Sequence, residues 1–397
     1  MWLNDCKNVI LNLSDSFTEE GEIVMSRGYE AKGSGPITIK DISARLNVSA
    51  TSVHRALSGK EGVGEQLRRQ ILETAKEMGY EINYAASSIK RATRHIAAVL
   101  PENDGLYFDY IWNGFRAMAK EVKGLNIEIE EFSCQDEQKQ YELLKQIADA
   151  GSEKYAGVVT FSYTRSPKVL LQLQRLVAQK VVTIVIDDEL KEPEGLYCIP
   201  SNERVLGRVA GELIDLITPK TGILLVSEGR PDSKIHVNKI QSLIEYLEER
   251  ESGLSVRIVR GYSSRHEKDH EICEAVKDTL KKHPDVVACY AMTASDNELM
   301  VKAVKDMGLM DRILIIGTDL SETTARLLRN GELKAIINQG AYMKGYTGLS
   351  ILVDSIIKHI DPPQRVDCPI DIVLQNNLSF YEHSNQIKNG GRSNEKI

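Results

Sequence analysis

Ile37-Thr-Ile-Lys-Asp-Ile-Ser-Ala-Arg-Leu46, a break at Asn47-Val48, then Ser49-Ala-Thr-Ser-Val-His-Arg-Ala-Leu-Ser58: two short amphipathic segments so closely joined have the sequence form of a helix-turn-helix. That device lays its second helix in the major groove of DNA. Thr38, three residues ahead of Asp41, makes a near capping box, and Ser49 is placed to cap the second helix. Ile42, Leu46, Val53 and Leu57 supply inward faces at helical spacing, while Ala44, Ala50 and Ala56 allow close backbone approach. A third helix is expected from about Glu65 to Met78, buried through Leu67, Ile71, Leu72, Ala75 and Met78 and stopped by Gly79.

Charge sets this module apart. Between Ile37 and His95 ten Lys and Arg face six acids, a balance of +4 in a chain of net charge −7, so the remainder carries −11. A basic module on an acidic body suits phosphate binding with the body held off the DNA. The excess is small, so two such modules acting together are expected.

Thr38-Ile-Lys-Asp-Ile42, Val48-Ser-Ala-Thr-Ser-Val-His-Arg-Ala-Leu57, Gly62-Val63, Glu77-Met-Gly-Tyr80 and Asn83-Tyr-Ala-Ala-Ser-Ser-Ile-Lys-Arg91 follow one another in register. Together they resemble successive blocks of the lactose-repressor family of bacterial transcription regulators, closely in the headpiece and more loosely to about Tyr381. The resemblance implies that Ala50, Thr51 and Arg55 meet base edges, with Thr38, Ser49, Ser52 and His54 on the same DNA-facing surface. Arg55 suits guanine O6 and N7, a contact worth about 1–3 kcal/mol of discrimination. His54 stands where the family commonly has serine, which introduces a titratable group.

Asn83 to Arg91 is too short to be a stable helix alone in water. The resemblance implies that the paired segments of a dimer fold on the minor groove, with Asn83, Ala86 and Lys90 at the DNA and Ile89 as an apolar wedge between base pairs. Glu81-Ile82 replaces the family's usual Arg-Pro ahead of it.

From His95 onward β-branched runs alternate with helical stretches. Strands are expected near Ile96–Leu100, Ile127–Phe132, Gly157–Phe161, Val181–Ile186, Gly222–Ser227, Val256–Gly261, Val286–Ala291, Ile313–Gly317 and Ala335–Asn338. Helices are expected over Phe115–Val122, Glu142–Ala150, Val205–Ile217, Lys239–Arg250, Ile272–Lys281, Glu298–Met307 and Lys344–Lys358. Repeated βα units mean parallel sheets flanked by helices. Their number and the length of the segment imply two lobes of periplasmic-binding-protein type, with chain crossings near Tyr197–Asn202, Asp319 and Asp371. The fold class is therefore α/β, a helix-turn-helix headpiece plus a two-lobed domain.

Ligand-binding residues belong just past the carboxyl ends of strands. Tyr107 and Phe108 follow the first strand and, by resemblance, stack on a ligand ring. Asp187, Asp296, Asn297, Asp319 and Gln339 follow later strands, and several carboxylates and amides at strand tips suit the hydroxyls of a sugar or polyol. By similarity Lys239 takes the place where sugar-binding relatives often carry Arg, and Lys makes no two-pronged contact. Asp296-Asn297 reverses the family's common Asn-Asp order.

The domain plan is residues 1–36 as a disordered extension, with Met25 an alternative start, 37–82 as the headpiece and 83–94 as the hinge. Residues 95–381 form the two-lobed domain and 382–397 a polar, disordered tail without heptads. Six cysteines lack the spacing of a zinc site or disulfide framework, no apolar run approaches membrane-spanning length, and Met1–Glu20 has no signal-peptide core. Gly33-Ser-Gly35 is no dinucleotide loop, no phosphate cradle occurs, and His236, His266, His270 and His283 read as solvated residues. These features imply a cytoplasmic, non-enzymatic homodimer without cofactor or metal, binding double-stranded operator DNA and a small effector. The alternative is a solute receptor with a degenerate headpiece, and the enzyme class to exclude is a two-lobed glycosyltransferase.

Overall fold

A computed structural model of the chain describes residues 37–57, 61–80, 93–101, 106–161, 166–190, 193–230, 233–260 and 269–383. The expectations for residues 1–36, for the hinge residues Asn83, Ala86, Ile89 and Lys90, for His266 and for 384–397 lie outside the described residues. The chain falls into two compact units, Met1–Ile82 and Asn83–Ile397.

The first unit is three helices, α1 (Ile39–Leu46), α2 (Ala50–Leu57) and α3 (Glu65–Glu77). Thr38 donates to Asp41 Oδ2 through both its backbone N–H and its hydroxyl, each at 2.7 Å. The acid therefore serves the helix start where the longer Glu is commoner. The turn is made by Asn47 in the left-handed region, φ 50° and ψ 44°, and closed by Ser43 Oγ donating to Val48 O at 2.5 Å. Ser49 Oγ accepts from Ser52 N–H at 3.0 Å and so caps α2. Ile42, Val53, Ala56, Ile71 and Ala75 form the core, with Leu46, Leu57, Leu67 and Met78 packed on it. Gly79, at φ 69°, ends α3 as Tyr80 N–H returns to Ala75 O at 2.8 Å. Two residues expected at close backbone approaches and one expected in the buried stripe point outward, Ala50 in keeping with its expected place at base edges. Ala44 and Ala50 are exposed and Leu72 is 46% exposed, with Thr74 buried in its stead. In so small a bundle the inward stripe is narrow, and Ile71, Thr74 and Ala75 already fill it.

The second unit has two lobes. In the first, β1 (Arg94–Pro101), β2 (Ile127–Cys134), β3 (Tyr155–Phe161), β4 (Val182–Asp187) and β5 (Leu196–Pro200) form a parallel sheet in the order β2-β1-β3-β4-β5. It is flanked by α4 (Leu106–Glu121), α5 (Glu137–Lys154) and α6 (Pro167–Ala178). In the second, β6 (Thr221–Ser227), β7 (Gly253–Val259), β8 (Val286–Tyr290), β9 (Leu314–Thr318) and β10 (Ala335–Asn338) are parallel, and β11 (Asp371–Val373) pairs antiparallel at the edge, in the order β11-β10-β9-β8-β6-β7. Its helices are α7 (Glu203–Ile217), α8 (Lys234–Glu249), α9 (Asp269–Lys282), α10 (Asp296–Asp306), α11 (Glu322–Arg329) and α13 (Leu378–His383). The intervening α12 (Ala341–Lys358) returns to the core of the first lobe.

That return moves one crossing. Chain passage occurs at Ser201–Asn202 and again between Val366, bonded to Cys198 O at 2.9 Å, and β11. The third passage is at Gln339–Gly340 rather than near Asp319, because β9 and β10 share a sheet and the chain leaves only for α12. Other boundaries shift as well. Leu196–Pro200 is itself a strand, β7 begins at Gly253, α4 begins at Leu106 and takes in Tyr107 and Phe108, and Arg94 belongs to β1 rather than to the hinge. The tail helix reaches His383, held where Glu382 pairs with Arg329.

A glycine sets the helix spacing after the first passage. A Cβ added at Gly207 of α7 would lie 2.2 Å from Lys239 O on α8, so these backbones touch. Gly207→Ala should cost about 1–3 kcal/mol through overpacking and lower the melting temperature; an unchanged melt contradicts this contact.

Candidate nucleic-acid face and inter-lobe cleft

On α2 the exposed residues are Ala50, Thr51, His54 and Arg55, which at helical spacing occupy one face. Val53 and Ala56 hold the opposite face in the core. Ser49 and Thr38 lie exposed at the starts of the two helices, and Ser52 is partly covered. Beside Arg55 stands Gly62 at φ 93°, where a Cβ would come within 3.2 Å of Arg55 Nη1. The loop after α2 thus limits where that guanidinium lies. Of the expected DNA-facing residues, Ala50, Thr51, His54 and Arg55 share one exposed face of α2, and Ser49 joins it through Ser52 at the helix start.

In the second unit the carboxyl ends of both sheets carry polar residues. Asp187 ends β4 at φ 68° and Asp319 follows β9 at φ 63°. A left-handed backbone is uncommon for a residue with a side chain and marks a constrained site. Tyr107, in the first turn of α4, donates to Asp187 Oδ1 at 2.6 Å. The centre of this cluster is Lys344 of α12, 1% exposed. Its Nζ donates to Asp187 Oδ1 and Ser201 Oγ at 2.6 Å each and to Tyr107 Oη at 2.8 Å. Burial, followed by the negative charges of Asp187 and Asp319, pushes the Tyr107 phenol well above its ordinary pKa, so it stays a protonated donor.

Lys239 of α8 faces this cluster from the second lobe. It too is 1% exposed, and its Nζ donates to Gln339 Oε1 at 3.2 Å. Gln339 Nε2 in turn donates to Asp319 Oδ1 and Oδ2 at 3.1 and 2.9 Å. Burial raises the Asp319 carboxyl above its usual value despite the nearby Lys239. It lowers the Lys239 ammonium to about 8, opposed by Asp319, reinforced by Lys344, and opposed further by Asp187 and Glu203.

A lysine in an unfolded chain titrates near about 10.4. Between these two values the unfolded chain holds a proton that the folded one lacks, so stability at this site rises with pH across the window and is flat below it. The melting temperature of the wild type relative to Lys239→Met should climb from about pH 8 to about pH 10. A difference constant over that range contradicts the burial of a charged Lys239.

Asp296, Asn297 and Phe108 sit differently. Asp296 Oδ2 accepts from Ser227 Oγ at 2.7 Å. Asn297 Nδ2 donates to Thr318 O at 2.7 Å and Ala294 O at 2.9 Å, while its Oδ1 accepts from Thr318 N–H at 3.0 Å. Both Asn297 donors are therefore spent on backbone, and the residue braces the end of β9. On the same turn Thr293 Oγ1 is buried with no partner among the described residues. Phe108 meets Phe161 and Tyr107 edge to face, at 5.1 and 5.4 Å between ring centroids, and forms an apolar wall. His236, read from sequence as solvated, is half-buried and accepts Arg230 N–H at 2.8 Å through Nδ1.

Sequence reasoning missed Ser201 and Lys344. Lys344 had a signal: with Gly348, Leu352 and Ile356 it lies on one four-residue stripe of α12 that is otherwise apolar. A cation on such a stripe needs a buried partner.

Residues 96–358 match the model of the periplasmic binding protein domain. The chain belongs to the periplasmic binding protein domain family. Within it, the resemblance is to regulators of the lactose-repressor type. The HTH-type transcriptional regulator IpsA of Corynebacterium glutamicum is 23% identical over 82% of this chain and 93% of its own length. The probable HTH-type transcriptional repressor ExuR of Bacillus subtilis is 36% identical over 97 residues, 24% of this chain. The chain spans less than half the length of several curated relatives it matches: 27% of ExuR, 46% of the HTH-type transcriptional regulator RegA of Clostridium acetobutylicum and 33% of the ribitol operon repressor of Klebsiella aerogenes. GanP, a glucose-galactose binding protein from Geobacillus stearothermophilus, superposes with a TM-score of 0.60 at 22% identity, over 72% of this chain and 99% of that one. In this chain the strand ends of the two α/β lobes bring Asp187 and Lys344 near Lys239, Gln339 and Asp319. Among the described residues no helix is long and apolar enough to cross a membrane.

Proposed function

We propose that the chain is a ligand-responsive transcription regulator. A homodimer in the cytoplasm binds a pseudo-palindromic operator through paired headpieces, with Thr38, Ser49, Ala50, Thr51, Ser52, His54 and Arg55 at the major groove and the Asn83–Lys90 segment at the minor groove. A small polar molecule, a sugar or polyol, is held between the lobes by Tyr107, Asp187, Lys239, Asp319 and Gln339, with Ser201 and Lys344 orienting Asp187. Asp296 and Asn297 shape the floor, and no reaction is catalysed. Closure of the lobes on the ligand alters the spacing of the two hinge segments and so the affinity for DNA; a coupling of about 1–3 kcal/mol is ordinary for such a switch.

The observation that carries this reading is the exposed face of α2, with Ala50, Thr51, His54 and Arg55 side by side opposite the core residues Val53 and Ala56. It also favours a regulator over a solute receptor with an inert headpiece. Fluorescence anisotropy on duplexes from the region upstream of the protein's own gene tests it. Binding should fall steeply and linearly in log–log terms with salt, and one sequence should be preferred over random duplex. Equal, weak affinity for all duplexes refutes it.

A further inference from the structure

Two buried lysines meet in the cleft, and they are not equivalent. Lys344 directs its ammonium at Asp187, Ser201 and Tyr107, all within 2.8 Å, so each of its three protons has an acceptor. Lys239, equally buried, has one, Gln339 Oε1 at 3.2 Å. Gln339 is held in that orientation because its Nε2 is engaged by both oxygens of Asp319. Among the described residues no carboxylate lies within ion-pair distance of Lys239. Asp319 and, farther off, Asp187 and Glu203 attract it, while Lys344 repels it.

An ammonium carries three donors, and a buried cation whose nearest carboxylate, Asp319, is reached only through Gln339 is costly. A ligand hydroxyl offers Lys239 an acceptor but no charge. A ligand anion offers two or more oxygens and a negative charge in direct contact together, in surroundings where the attraction is little screened. We propose that the effector is a sugar or polyol derivative bearing an anionic group, a carboxylate or a phosphate ester, and that this group pairs with Lys239. The proposal rests on the regulator reading for its ligand site and adds the chemical class of the ligand. The uncharged part of the molecule lies toward Tyr107 and Phe108.

Isothermal titration calorimetry on the full chain tests this with compounds matched except for charge: glucose, glucuronate and glucose 6-phosphate, and sorbitol against gluconate. At least one anionic member should bind about ten-fold or more tightly than its neutral partner, the scale of a charged hydrogen bond. Lys239→Met should abolish that preference and Lys239→Arg should retain it, the second variant separating loss of charge from loss of fold. Preference for the phosphate ester over the carboxylates assigns the group as phosphate, and the reverse assigns it as carboxylate. Neutral compounds binding as well as their anionic partners overturns the proposal, as does an absence of binding by every anionic member, or a Lys239→Met variant that loses both classes equally. A neutral sugar that binds and shifts operator affinity sinks the anionic assignment while leaving the regulator reading intact.

Discussion

Lys344→Met should destabilise the two-lobed unit by about 3–5 kcal/mol, the cost of removing one partner from a buried ion pair. The pair is short, 2.6 Å between Lys344 Nζ and Asp187 Oδ1, with side-chain exposures of 2% and 12%. Without the ammonium, Asp187 keeps Tyr107 and Ser201 as donors but no counter-charge. The double variant Asp187→Asn/Lys344→Met removes both charges and should be more stable than Lys344→Met alone. Thermal unfolding of the three proteins decides this. A single variant within about 1 kcal/mol of wild type would match a surface pair and contradict the burial on which the cleft geometry rests.

Arg55→Ala should weaken binding to the preferred operator by about 1–3 kcal/mol, roughly 5- to 150-fold, while affinity for random duplex changes much less. Arg55 is exposed on the face of α2 that includes Ala50, Thr51 and His54, and the α2 core residues Val53 and Ala56 are untouched by the change. Competition anisotropy with operator and random duplex separates the two terms. Equal losses on both would reduce Arg55 to a phosphate contact.

Much of this architecture was legible in the chain because hydrophobic periodicity is local. The α1–α2 break at Asn47-Val48, the Ser49 cap and the Gly79 stop all reproduce what the residues dictate. What escaped was decided by long-range packing. Leu196–Pro200 is short and its strand character comes from pairing with β4. Pro167–Ala178 begins at a proline that reads as a breaker but is tolerated in a first helical turn. The crossing assigned near Asp319 moved because the sequence does not say which sheet β10 joins.

In the cleft, Asp187, Asp319 and Gln339 were found by their place after strands, a rule of topology. The left-handed backbone that positions the two acids has no sequence signature, since any aspartate reads alike. Lys344 was overlooked because a lysine in an amphipathic helix is normally on the wet face, and only the return of α12 to the first lobe buries it. Asn297 drew attention as a strand-tip amide, yet its donors are consumed by Thr318 and Ala294.

The central claim is that occupancy of the inter-lobe cleft sets the affinity of the headpieces for DNA. It is tested most directly by measuring the operator dissociation constant of the full chain at fixed salt as a cleft ligand, identified by calorimetry, is raised from zero to saturation. The account predicts a saturable change of about 5- to 150-fold in either direction, lost in Lys239→Met. An operator affinity that stays constant while the ligand saturates the protein would contradict it.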